Sequence, residues 1–83
     1  LAFAVAFSEE ALAILEKLDP PTARRILDKI DQAAENPLRL FQRLRGSELY
    51  KLRVGDYRVL ARLNLAERKV SVATLGHRRN VYD

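Results

Sequence analysis

The spacing of hydrophobic positions changes period twice along the chain. Between residues 2 and 7, Phe3, Val5 and Phe7 alternate with alanines, the period-two pattern of a short buried strand. Ser8 follows as a helix N-cap, with Glu9 and Glu10 in the first turn, where the helix dipole favours carboxylates. Ala11, Ile14, Leu15 and Leu18 then recur at helical spacing, which predicts a helix ending at Lys17 or Leu18. Asp19-Pro20-Pro21 stops it and starts a second, because proline is tolerated in a first turn but not in a helix interior. The second helix carries Ala23, Ile26, Leu27, Ile30 and Ala34 on one stripe and ends at Asn36 and Pro37.

Beyond a connecting stretch through Leu44, Arg45 and Gly46, period two returns. Residues 49–54 and 57–63 flank Gly55 and Asp56, a two-residue loop with glycine first that fits a type II′ hairpin turn. Residues 69–75 form a further strand behind a polar turn at 64–68, and Gly76 is expected to let the chain leave the sheet there. The order strand, helix, helix, strand, strand, strand predicts one α+β domain spanning residues 1–83. In it a two-helix hairpin packs on one face of a small, mainly antiparallel four-stranded sheet and leaves the other face open.

A two-residue loop also fixes the register. Val54 should face Tyr57, Arg53 should face Arg58, Leu52 should face Val59 and Lys51 should face Leu60. Tyr50, Leu52, Val54, Tyr57, Val59 and Ala61 then share one face, while Lys51, Arg53, Arg58 and Arg62 share the other. Two arginines directly opposed across a ladder cost stability. The arrangement makes sense where an anion sits between them, and mixed charges would solubilise an open face better.

Composition sharpens this picture. The 83 residues are enough for one small domain, with 48% hydrophobic and 31% charged side chains. The net charge of +4 conceals a division: residues 1–38 hold four basic and seven acidic side chains, and residues 39–83 hold eleven basic and four acidic. A basic half on a small domain points to an anionic partner, nucleic acid ahead of a membrane surface, since no basic amphipathic helix accompanies it. Cysteine is absent and there is a single histidine, which removes disulfides, thiolate zinc sites and a cysteine nucleophile, and suits a reducing compartment. No metal site and no cofactor is expected. No apolar run reaches the roughly 20 residues of a membrane span, and the opening stretch lacks the basic start of a signal peptide.

The chemistry left to such a set is phosphate chemistry by cations. In RNA the 2′-hydroxyl can attack the adjacent phosphodiester, and fixed guanidinium groups would stabilise the negative charge that gathers in the transition state. DNA lacks that internal nucleophile. Arginine is effectively never deprotonated, so Lys51 is the one residue on these strands able to act as a base. His77 has no second histidine or paired carboxylate in support and is expected at the surface in no catalytic role. Tyr82, near the terminus, can stack on a nucleobase or deliver a proton.

The run LYKLRVGDYRVL at 49–60, followed by LGHRRNVY at 75–82, resembles the RelE/ParE superfamily of toxins, and more specifically its RelE branch. The resemblance extends over nearly the whole chain, including the opening strand, the helical hairpin and the Leu44-x-Gly46 element. It implies a ribosome-dependent mRNA interferase of a type II toxin-antitoxin system. Such an enzyme enters the vacant A site and cuts the codon there by 2′-hydroxyl attack, giving a cyclic phosphate and a free 5′-hydroxyl. By the same resemblance Lys51 and Arg53 occupy the positions of two strand lysines that serve as base and phosphate ligand. Arg58 and Arg78 match arginines that stabilise the transition state and leaving group, and Tyr82 matches a tyrosine that orients the nucleotide. Arg45, Arg62 and Arg79 complete the expected RNA-binding set. The implied partners are a RelB-type antitoxin, the ribosome with its rRNA, and mRNA, and the implied location is cytoplasmic. Two positions depart from the family pattern: Arg53 stands where well-studied members have lysine, and Ala61 stands where they often have tyrosine. Two other readings of the same residues are a ParE-like inhibitor of DNA gyrase and a non-catalytic RNA-binding module.

Overall fold

The computed structural model describes residues 2–77. Strand β1 (Ala4–Phe7) leads into α1 (Glu9–Lys17) and α2 (Pro20–Ala33), followed by a single turn of helix, α3 (Pro37–Leu40). Four strands follow: β2 (Gln42–Arg43), β3 (Tyr50–Val54), β4 (Tyr57–Asn64) and β5 (Lys69–His77). They form one sheet in the order β1-β5-β4-β3-β2, antiparallel except for the β1–β5 pair. The sheet therefore has five strands, one more than the sequence pattern predicts. The extra strand, β2, has only two residues, Gln42 and Arg43, which pair with Lys51 and Tyr50. Nothing so short and polar carries a period, and its extended conformation comes from the neighbour it pairs with.

Both long helices start where their caps dictate. The Ser8 hydroxyl accepts from the Ala11 N–H at 3.0 Å, and the Asp19 carboxylate accepts from both the N–H (3.1 Å) and the hydroxyl of Thr22 (2.9 Å). Those hydrogen bonds, foremost the one from the Thr22 hydroxyl, hold the Asp19 carboxyl below its ordinary range. Pro37 ends α2 as expected, yet it also opens α3, because its fixed φ suits a first helical turn as well as it forbids an interior one.

The core lies between the helices and one sheet face. Ala11 and Leu15 of α1 and Ile26, Ile30 and Ala33 of α2 pack with Leu52, Val54, Val59, Ala61, Val70, Val72 and Leu75. Ala61, the departure noted above, is fully buried in this layer. On β5 the inward residues are Val70, Val72 and Leu75, a spacing that breaks period two. A bulge explains it: Leu60 pairs with Thr74 and Ala61 with Val72, leaving Ala73 as the extra residue. The Ser8 hydroxyl donates to the carbonyl of Ala73 at 2.6 Å, so one side chain caps α1 and ties down the bulge.

Candidate active site

The hairpin places its residues as the loop length demands. Val54 pairs with Tyr57, Arg53 with Arg58, Leu52 with Val59 and Lys51 with Leu60. Gly55 has φ +59° while Asp56 stays at negative φ, the combination of a type II′ turn. With Leu52, Val54, Val59 and Ala61 committed to the core, alternation sends Lys51, Arg53, Arg58 and Arg62 to the face that no described helix covers. Arg53 and Arg62 are exposed, and Lys51 and Arg58 are half-buried, with the Arg58 Nε shielded from solvent.

Strand geometry sets the scale. Arg53 and Arg58 face each other at about 5 Å between Cβ atoms. Lys51 lies about 6.6 Å from Arg53 along β3 and about 7–8 Å from Arg58 on the diagonal. Three long cationic side chains therefore rise from a triangle with sides of about 5–8 Å, near enough for their charged ends to converge on a single phosphate group. The floor beside them is apolar: Leu60, opposite Lys51 and two residues from Arg58, is only 7% exposed. A low-polarity floor strengthens every charge interaction above it. Gly76 pairs with Arg58, so no side chain rises at the position opposite the guanidinium. The bulge at Ala73 produces this placement, since without it Thr74 and Gly76 would face the core and Leu75 would face the cations.

The other expected residues divide. Arg62 shares the face but stands four residues, about 13 Å, beyond Arg58, where it lines a cavity of about 420 Å³ with Glu48 and Ser71. Arg45 lies in the loop between β2 and β3, at the end of β3 away from the hairpin, so the structure does not bring it to the Arg53–Arg58 pair. Arg78, Arg79 and Tyr82 lie outside the described residues. Strand β5 runs through Gly76 to His77, so the chain does not leave the sheet at the glycine. His77 is half-buried rather than fully exposed: pairing with Tyr57 puts it on the helix side of the sheet, its ring edge-on to the tyrosine with centroids 5.6 Å apart. Leu60 and Gly76 are the members of the site that sequence reasoning passed over. The signal for Leu60 was present, as the single apolar residue on the polar side of the alternation from 51 to 62.

Among the described residues no three histidine or carboxylate side chains come together in a metal-ligating group, and no described helix is long and apolar enough to cross a membrane.

The model of the family described as the ParE toxin of type II toxin-antitoxin systems matches residues 5–82. The chain belongs to this toxin family. The toxin also superposes on a chain of the RelBE2 toxin-antitoxin complex from Mycobacterium tuberculosis with a TM-score of 0.87 and 25% identity, covering 96% of this chain and 95% of that one. A chain of the intact E. coli RelBE complex matches with a TM-score of 0.76 and 27% identity, covering 92% and 96%. The fold is shared as well with the archaeal RelE-RelB complex from Pyrococcus horikoshii, at a TM-score of 0.81, 24% identity and coverage of 98% and 100%. No curated protein matches the toxin's sequence significantly. It is a type II toxin of the RelE/ParE superfamily with the α+β architecture of RelE.

Proposed function

We propose that the toxin is a RelE-type endoribonuclease that cuts mRNA in the ribosomal A site and so arrests translation in the cytoplasm. The observation that carries this reading is the directly opposed Arg53–Arg58 pair beside Lys51, on the sheet face opposite the described helices. In the reaction Lys51, in its neutral form, takes the proton of a 2′-hydroxyl. That oxygen attacks the adjacent phosphorus, and a 2′,3′-cyclic phosphate forms as the bond to the 5′-oxygen breaks. The leaving oxygen takes up a proton from solvent and departs as a free 5′-hydroxyl, and Lys51 returns the proton it took to solvent. Arg53 and Arg58 flank the phosphate, whose extra charge in the transition state is where fixed guanidinium groups act most strongly. Arg78 and Tyr82, by the motif they occupy, act on the leaving group and the nucleotide. RelE structures solved together with RelB support a RelB-type antitoxin as the partner that keeps the toxin from the ribosome.

The family model that matches bears the ParE name, which favours a second reading: inhibition of DNA gyrase without cleavage. Incubation of folded, antitoxin-free toxin with programmed ribosomes, followed by primer extension, separates the two. The nuclease reading expects new mRNA ends within the A-site codon and no effect on supercoiling by gyrase. Loss of supercoiling with intact mRNA would overturn it.

A further inference from the structure

The basic surface does not stop at the sheet. Strand β2 pairs only with Tyr50 and Lys51, so no described strand pairs with the outer edge of β3 from Leu52 to the hairpin. On that edge lies a cavity of about 370 Å³ walled on one side by residues 53–55 and on the other by Arg25, Asp28, Lys29 and Gln32 of α2. Arg25 and Lys29 are four residues apart and so share one helix face. The Arg25 guanidinium reaches across to the turn, where its Nη2 lies 3.7 Å from the place a Cβ on Gly55 would occupy. Ladder alternation also turns the backbone N–H of Arg53 outward on this edge, since Val54 and Tyr57 close the hairpin. Two cations of α2 thus face a space that also receives the backbone donor of Arg53, whose own side chain rises on the other face of the sheet; among the described residues Asp28 is the one acidic side chain in its wall.

We infer that Arg25 and Lys29, with the backbone N–H of Arg53, form a second phosphate-binding site, which grips the RNA backbone at a phosphodiester separate from the one being cut. This inference rests on the RNA-directed reading above. It makes Arg53 the link between the two sites, its side chain at the scissile phosphate on the sheet face and its backbone N–H at the second phosphate on the edge. Arg25 and Lys29 are positioning residues in this scheme: they add affinity and register and take no part in bond breaking.

The test is binding of the full chain to a 2′-O-methyl RNA hairpin, which keeps A-form geometry and has no attacking hydroxyl, by fluorescence anisotropy between 50 and 300 mM NaCl. The variants are Arg25→Ala/Lys29→Ala and, with the same loss of two charges, Lys17→Ala/Arg24→Ala, whose residues do not line the cavity. Both doubles put alanine, the best helix former, on a helix surface, and circular dichroism confirms folding. Removing two phosphate contacts should lower affinity about 10-fold or more at 100 mM salt and flatten the log-log salt slope by about 1 to 2. The control pair should retain wild-type slope. Equal losses in both doubles, an unchanged slope in the cavity double, no binding by the wild-type chain at 50 mM, or tighter binding of the matched DNA hairpin would each overturn the inference. Failure of the nuclease reading looks different: RNA binding that depends on Arg25 and Lys29, with no cleavage on ribosomes.

Discussion

Replacing Ser8 with alanine removes two hydrogen bonds that meet at one oxygen, one to a residue 3 positions away and one to a residue 65 positions away. Its hydroxyl accepts from Ala11 N–H and donates to Ala73 C=O. Loss of the cap costs about 1 kcal/mol. Loss of the donor to a part-buried carbonyl costs about 1 kcal/mol more, while the backbone bond from Ser8 N–H to Val72 C=O (2.9 Å) survives the substitution. The expected total is about 2 kcal/mol, which for a domain of this size lowers Tm by roughly 8–16 °C. Urea unfolding followed by circular dichroism should show the midpoint moving with an unchanged slope, and the Ala11 amide should exchange faster with deuterium. Ser8→Thr keeps the hydroxyl and should recover most of the loss. The consequence reaches the site, because the bulge that Ser8 holds is what turns Thr74 and Gly76 toward the cations. A Ser8→Ala protein within about 0.5 kcal/mol of wild type would refute the view that this oxygen couples α1 to the bulge.

Other consequences follow from the same geometry. Arg53→Ala should leave stability unchanged or raise it by up to about 1 kcal/mol, since it relieves a like-charge cross-strand pair, while cleavage on ribosomes falls; chemical denaturation and primer extension on one preparation check both. Gly55→Ala forces a β-carbon into φ +59° and should cost about 1–2 kcal/mol in urea unfolding. Asp19→Ala should destabilise at neutral pH. The folded-state carboxyl is held below its unfolded value, so its contribution is full above the unfolded pKa and fades as pH falls through the folded one; melting curves of variant and wild type should converge in acid. Val59→Ala, at a fully buried centre of the sheet, should cost about 1.5–3 kcal/mol by the same assay.

Local rules made the hairpin, the two long helices and the basic face legible. The loop length at Gly55–Asp56 dictated which arginine meets which, and Ser8, Asp19 and the prolines dictated where helices begin and end. What escaped was set by tertiary context. Strand β2 is too short to carry a period, α3 is a single turn, and the ladder continues through Gly76 because β4 offers Tyr57 and Arg58 as partners. The bulge left one trace, the odd interval from Val72 to Leu75, which a strict period-two reading overlooks. His77 shows the same limit: its side of the sheet depends on the bulge, so strand parity alone misplaces it. Of the candidate site, Lys51, Arg53 and Arg58 come together as register predicted, whereas Arg45 is carried to the opposite end of β3 by a loop that no periodicity describes.

The central claim is that the opposed cations promote attack by a 2′-hydroxyl on its own phosphodiester. Its most direct test is single-turnover cleavage of two ribosome-bound messages that differ only in a 2′-deoxynucleotide at the mapped cut site. The wild-type toxin should cut the all-ribose message, leaving a cyclic phosphate, and spare the deoxy message. Arg58→Ala should cut the all-ribose message at least 100-fold more slowly. Equal cutting of both messages, or no cutting of either by folded toxin, would contradict the account.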